Sequence, residues 1–285
     1  MTSAAPDRRA FLGTLGAVTL AAALPHSLAR RAARREGLGK IGLQLYTVRA
    51  AMAQDFEGTL ARVAQIGYNE VEFAGYFGRS PEAVKAALTS AGLTAPSAHV
   101  GFDMLGERWP ETLANAGIIG HGYIVVPSLP GDLRRSADGY KRAAETFNRA
   151  GQAARAAGIR FAYHNHDVEF APVDGQIPYD VLLATADPAV VEFEMDLYWV
   201  VKGGGDPLAY FTRYPGRFPL VHVKDGGPPP ERRMADVGSG VIDFRSIFAH
   251  HQQAGIEHYF VEHDQPQDQL ASIRASYDYL KRLTF

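Results

Sequence analysis

Several short apolar runs in this chain carry ionisable or amide side chains at every second position. Val221-His222-Val223-Lys224 is one. Val191-Glu192-Phe193-Glu194-Met195-Asp196 repeats the pattern with three carboxylates. Glu70 and Glu72 alternate with Val71 and Phe73, Phe260 and Glu262 flank Val261, and Gln44 sits between Leu43 and Leu45. His99 ends one further run and His164-Asn165-His166 ends another. In an extended strand residues i and i+2 share a face, so each run presents polar groups on one side and apolar groups on the other. Imidazole and carboxylate donors brought together suit one divalent ion, Mn²⁺, Zn²⁺, Co²⁺ or Mg²⁺. A histidine, with its ordinary pKa of about 6.5, can also carry protons near neutrality. The sequence contains no cysteine, which excludes a disulfide, a thiolate nucleophile and any Cys-based metal site.

Eight such runs are predicted as strands, at 41–46, 70–73, 95–100, 123–127, 160–164, 190–197, 220–224 and 259–262. Helical patterns separate them, at 56–66, 81–91, 110–116, 136–157, 179–185, 207–214, 244–254 and 266–283. Gly67, Gly92, Gly158 and Gly255 stand where helices stop. Each strand–helix unit takes about 30 residues, the length a right-handed crossover needs. Eight parallel strands with eight helices close as a single (β/α)₈ TIM barrel. An open doubly wound sheet lacks support, because Gly203-Gly204-Gly205 matches neither dinucleotide nor phosphate-loop spacing. A barrel interior is ordinarily apolar, and its functional rim is the C-terminal one. Charges pointing inward there are costly unless they are paired or bound to metal. A metal site with a polar ligand above it accounts for them.

The chain is 46% hydrophobic and 21% charged, so it has the composition of a globular protein. A formal net charge of −2 over 285 residues argues against a broad nucleic-acid footprint. The charge is uneven: residues 1–40 carry +5, leaving −7 on the remainder. Arg8-Arg9-Ala10-Phe11-Leu12 leads into an apolar run from Leu12 to Leu24, then Pro25 and Ser27-Leu28-Ala29. This order describes an export signal, and its core resembles the twin-arginine type. The run is too short to span ~30 Å of hydrocarbon, and without cysteine there is no lipidated anchor. The expected organisation is a cleaved signal at 1–29, a linker at 30–39 and the barrel at 40–285. The expected location is periplasmic or secreted.

The segments Gly42-Leu43-Gln44-Leu45-Tyr46-Thr47-Val48-Arg49, Tyr163-His164-Asn165-His166-Asp167-Val168-Glu169-Phe170 and Met195-Asp196-Leu197-Tyr198-Trp199 resemble the xylose isomerase-like sugar isomerase/epimerase family. So do Val221-His222-Val223-Lys224-Asp225, Gly238-Ser239-Gly240-Val241-Ile242-Asp243-Phe244 and Val261-Glu262-His263. The resemblance covers about residues 40–285. It implies a metal held by Asp196, His222 and Glu262. The family's further glutamate ligand is replaced here by His164; His166, on the same face, is the other candidate. Where the isomerases use two glutamates as their acid/base pair, this chain would use histidine with Glu262. His166, Glu262 and Lys224 are the expected catalytic groups. Gln44, Glu72, His99, Glu169 and Trp199 are expected around the substrate. Asp196 also has an alternative reading as a helix-capping carboxylate, and Lys224 as a neutraliser of Glu194 or Asp225. His250-His251 reads as a solvated helix face.

The implied function is a metal-dependent isomerase or epimerase of a sugar, cyclitol or keto-sugar. Loss of a leaving group from the same intermediate would make it a lyase or hydrolase instead, by dehydration or 3-keto-glycoside cleavage. A non-catalytic sugar-binding protein is a further alternative. Phosphodiester cleavage would need more clustered histidines and a basic groove. The expected partner is a small sugar or keto-sugar, with no nucleic acid and no stable membrane anchor; the sequence leaves oligomerisation open.

Overall fold

The computed structural model describes residues 36–285. The proposed signal, at 1–29, lies outside them. Eight parallel strands, numbered β1 to β8 in chain order, form a closed barrel in which each strand pairs with its sequence neighbours and β1 pairs with β8. They are β1 Gly42–Gln44, β2 Glu70–Phe73, β3 Thr94–His99, β4 Tyr123–Val126, β5 Arg160–His164, β6 Glu192–Asp196, β7 Leu220–Val223 and β8 His258–Val261. All eight predicted strands are present, with ends shifted by up to two residues. Of the residues expected to be linker, Glu36 and Gly37 instead pair antiparallel with Thr284 and Phe285 beside the last helix.

The strand alternation divides the core in two. Outward side chains such as Val71, Ile124, Phe161, Phe193, Val221 and Val261 pack under the surrounding helices. Inward side chains form layers. At mid-height Tyr123, Val125, Ala162, Leu220 and Phe260 make a small apolar plug. Gly42 completes it, since a Cβ there would lie 2.5 Å from the Phe260 ring. Below the plug, Glu70 meets Lys40 and His258, each at 2.8 Å, and Arg160 meets Glu192 and Glu257. The polar groups of interest lie above it.

Local signals set the helix boundaries. Ser80 accepts a hydrogen bond from Ala83 N, Pro81 opens the helix Pro81–Ala91, and Gly92 ends it in the left-handed region. Ser136 caps Ala137–Ala156 in the same way. Two predicted helices depart from expectation. The segment 266–283 is helical only over Gln269–Leu280, because Asp268 caps it by accepting from the Leu270 and Ala271 amides. The segment 244–254 is two helices, Phe244–Phe248 and His251–Ala254. The His250 ring takes the Ser246 carbonyl, and the His250 amide turns to Ile247. Two further helices, Arg49–Gln54 and Leu197–Lys202, stand close after β1 and β6.

At the mouth, the loop after β7 is built around one carboxylate. Asp225 accepts hydrogen bonds from the backbone amides of Gly226, Gly238, Gly240 and Ile242 at 2.8–3.2 Å. A Cβ at Gly240 would collide with that carboxylate and with the Gly226 carbonyl. The Gly238-Ser239-Gly240 motif is therefore a wrapping for Asp225, which answers the suggestion that Asp225 pairs with Lys224. Replacing Asp225 with Ala would orphan four backbone donors beside the site. The expected cost is about 3 kcal/mol, read as a lower urea midpoint, with new proteolytic cleavage inside residues 226–242.

Candidate metal centre and cleft

Strand register brings the site together. Asp196 of β6 lies level with His222 of β7, and His222 level with Phe260 of β8. One step further up, Lys224 and Glu262 come directly after the paired residues Val223 and Val261. The result is a buried set in which Asp196, His222 and Glu262 each offer a ligand atom within 4.8 Å of the others.

Asp196 does two things at once. Its Oδ1 accepts a hydrogen bond from Trp199 N at 2.9 Å and so caps the helix Leu197–Lys202. Its Oδ2 is buried and receives no hydrogen bond. Around that oxygen stand Lys224 Nζ at 3.0 Å, His164 Nε2 at 3.7 Å and His222 Nδ1 at 3.9 Å. The capping reading of Asp196 is realised on Oδ1, and Oδ2 is the oxygen left to a ligand. Burial raises its pKa to about 6, against the pull of Lys224 and His222.

Both candidate imidazole ligands are aimed by carboxylates behind them. His222 donates from Nε2 to Glu72 at 2.6 Å and faces Glu262 with Nδ1 at 2.8 Å. Burial would lower the His222 pKa, but Glu194 and Glu262 outweigh it and raise it, so a cation at Nδ1 would displace a proton. His164 has its Nδ1 3.1 Å from Glu194 and turns Nε2 towards Asp196. Burial, reinforced by His222, holds the His164 pKa well below the usual value, so this ring is neutral. Donating its one N–H to Glu194 leaves the Nε2 lone pair free. A carboxylate behind a ligating histidine fixes tautomer and ring orientation. The donor set, the orphaned Asp196 oxygen and the two aimed rings fit a divalent cation. Of the two candidates for a fourth ligand, His164 turns Nε2 to within 3.7 Å of Asp196 Oδ2. His166, two residues on, opens instead onto the cleft.

Glu72 and Glu194 lie one layer deeper and bind the site into the barrel. Glu72 also accepts from Gln44 Nε2 at 2.7 Å and Ser97 Oγ at 2.5 Å. Glu194 Oε2 is reached by His99 at 2.6 Å, His164 at 3.1 Å and His222 at 3.2 Å. Burial alone would lower the His99 pKa, but Glu72 and Glu194 outweigh it and raise it to about 9. Asn165 ties β5 to β6 by accepting from Asp196 N at 3.1 Å and donating to Asp196 O at 3.4 Å.

Above this floor is a cleft of about 550 Å³. Its two walls differ. The ends of β1 to β4 and their loops give Tyr46, Ala74, His99, Val100, Gly101, Pro127 and Ser128; β5 to β8 and theirs give His164, His166, Lys224, Glu262, Asp264 and Gln265. The His166 pKa falls to about 4 through burial and the nearby Lys224 charge, so its ring is neutral at pH 7.

Of the residues expected around a substrate, His99 lines the cleft, while Gln44, Glu72 and Glu169 are buried beneath it. Trp199 stands behind, with its ring centre 5.6 Å from that of His166 and 5.6 Å from Lys224 Nζ. Lys224 meets Asp196, Glu262 and Asp264, not Glu194 or Asp225. His250 and His251 take no part. Sequence reasoning assigns no role to Glu194, Ser97, Asn165 or Asp264. Strand parity does point Glu194 inward, and the same two-residue step from Glu262 leads to Asp264.

A model of the xylose isomerase-like TIM barrel family matches residues 60–283. The chain belongs to that family. Inosose dehydratase from Lacticaseibacillus casei is 25% identical over 246 residues, spanning 72% of this chain and 80% of that protein. The crystal structure of a sugar phosphate isomerase/epimerase from Parabacteroides distasonis is 31% identical, with a TM-score of 0.76 over 90% of this chain and 98% of that one. The IOLI protein, solved with a bound zinc atom, shares the fold at 14% identity and a TM-score of 0.67, covering 84% of this chain and 95% of that one.

In this xylose isomerase-like barrel Glu169 supports His166 from below. It accepts from His166 N at 2.8 Å and from the Tyr163 hydroxyl at 3.0 Å. Burial nevertheless raises its pKa from 4.5 to about 7. Between those values the folded protein keeps a proton that the unfolded chain releases, so this group's contribution to stability falls as pH rises. Thermal melts should show the Glu169→Gln variant gaining on the wild type between pH 5 and pH 7.5. Equal pH slopes for the two proteins would contradict the assignment.

Proposed function

We propose that this protein is a metal-dependent isomerase or epimerase of an unphosphorylated sugar, cyclitol or keto-sugar. The observation that carries the reading is the convergence of Asp196 Oδ2, His222 Nδ1 and Glu262 Oε2 at the floor of an open cleft, with His164 Nε2 alongside. Asp196, His222, Glu262 and His164 would hold the cation. Bound there, a divalent cation supplies Lewis-acid polarisation of a carbonyl and a neighbouring hydroxyl.

The chain's own groups supply the proton chemistry. His166 is neutral and lines the cleft, as a general base must. It removes the proton from the carbon next to the carbonyl. Lys224 donates N–H groups to the oxygen on which charge develops. Returning a proton to the opposite face of the same carbon gives an epimer, and returning it to the neighbouring carbon gives an aldose–ketose isomer. Among the described residues lining the cleft, Lys224 is the one lysine or arginine, and three carboxylates already surround it. That balance favours an uncharged ligand over a phosphorylated one.

A second reading has a specific observation behind it. Histidines 164 and 166 stand at the end of β5, where the isomerases of the family carry a glutamate. A single base with an acid is enough to expel a β-hydroxyl or a glycosidic oxygen, which makes dehydration or 3-keto-glycoside cleavage the alternative outcome. The inosose dehydratase relatives agree with it.

Incubating the metal-loaded protein in D₂O with a panel of unphosphorylated keto-sugars and inososes separates these outcomes. Deuterium entering at the carbon next to the carbonyl, with the carbon skeleton intact, supports isomerisation or epimerisation. An ultraviolet-absorbing enone or a freed alcohol supports elimination. Stoichiometric metal with neither change across the panel would sink both. Asp196→Asn should abolish stoichiometric metal in elemental analysis. Glu72→Gln, which removes only the acceptor behind His222, should weaken metal binding by about 10–100-fold.

A further inference from the structure

Lys224 stands in an unusual position. Its ammonium has three N–H groups and three carboxylates in reach: Glu262 Oε2 at 2.6 Å, Asp264 Oδ1 at 2.8 Å and Asp196 Oδ2 at 3.0 Å. Two of the three belong to the proposed metal set. The contacts are not equivalent. The ammonium is aligned to donate a hydrogen bond to Asp264, whereas it meets Glu262 and Asp196 off-axis, and Asp196 Oδ2 accepts none. The Asp264 side chain is 26% exposed and lines the cleft, while Asp196 is sealed.

An ammonium and a divalent cation compete for the same two carboxylates. We infer that Asp264 is a positioning residue that retains the Lys224 ammonium at the cleft wall when a cation takes Asp196 and Glu262. Asp196 and Glu262, which meet the ammonium in this structure, can then pass to the cation, and the Lys224 N–H groups they release can meet a ligand oxygen. Asp264 acts through Lys224 and contacts no metal itself. The inference rests on the metal-centre reading under Proposed function.

A double-mutant cycle on metal affinity tests it without any substrate. The full chain is stripped with chelator and titrated with Mn²⁺ alone, with binding read by calorimetry and by the electron paramagnetic resonance signal of free Mn²⁺. Asp264→Asn should weaken Mn²⁺ binding by about tenfold, since the ammonium falls back onto the ligand carboxylates. Asp264→Glu should restore most of it. Lys224→Gln should bind Mn²⁺ at least as tightly as the wild type, and adding Asp264→Asn to it should change affinity by less than about twofold. Lys224→Met serves the same purpose if the Gln variant folds poorly. Equal weakening in both backgrounds would overturn the inference, because Asp264 would then act by its own charge. No weakening in Asp264→Asn would overturn it as well. A wild-type protein that binds no Mn²⁺ would instead remove the metal-centre reading, and this inference with it.

Discussion

The mouth of this barrel is governed by the packing of much negative charge into little water. Glu72, Glu194, Asp196 and Glu262 are buried there, and Asp264 stands at the rim. The groups that answer them are Lys224 and the protonatable rings of His99 and His222, since His164 is held neutral. Burying carboxylates without compensation costs several kcal/mol per group. A fold that keeps this arrangement needs further positive charge at one spot, and the unsatisfied Asp196 oxygen marks where. The candidate metal centre, the aimed imidazoles and the placement of Lys224 are three responses to the same constraint.

The barrel confines this charge to one level. An apolar plug around Phe260 and Leu220 separates the mouth from a second set of ion pairs at the base. Between the mouth and the plug, Glu72 and Glu194 convert strand register into ring orientation, because each fixes a histidine nitrogen that a ligand never sees. Helices take part as well. The helix Leu197–Lys202 begins on Asp196, so the side chain that ends β6 also locks its own rotamer by capping that helix. Rigid elements thus hold the donor atoms, and the loops are left to shape the cleft.

Much of this is legible in the sequence because period-two alternation survives in β6, β7 and β8. Parity tells which way Asp196, His222, Lys224 and Glu262 point. It cannot tell how deep each residue lies. Depth depends on stagger between strands that are far apart in sequence, such as Glu72 against His222. For that reason Gln44 and Glu72, expected beside a substrate, lie instead under the candidate metal set, and Glu192 and Glu70 share inward parity with their neighbours yet belong to the base below the plug. Glu169 is hidden differently. It sits in the short 3₁₀ turn Asp167–Phe170, where neither strand nor α-helical period applies. The split at His250 is invisible in the sequence because it depends on an imidazole competing for a backbone carbonyl, not on hydrophobic pattern.

The end of β5 decides how the chemistry should be weighed. A carboxylate at 164 would both ligate and accept a proton, so a matching pair with Glu262 could work from opposite sides of a ring. A histidine at 164 that is neutral and backed by Glu194 can give its lone pair to only one of these tasks. If it ligates, proton transfer passes to His166, which hangs over the cleft from the same strand end and whose backbone is held by Glu169. His166 and Lys224 then lie on one wall, while the facing wall of Tyr46, Val100 and Pro127 carries His99, which Glu72 and Glu194 hold protonated, an acid and not a base. One-sided proton chemistry suits a reaction that takes a proton and delivers it nearby on the same face. It also suits one that takes a proton and lets a leaving group depart. Inverting a carbon from opposite faces would need His99 of the facing wall as the acid that returns the proton.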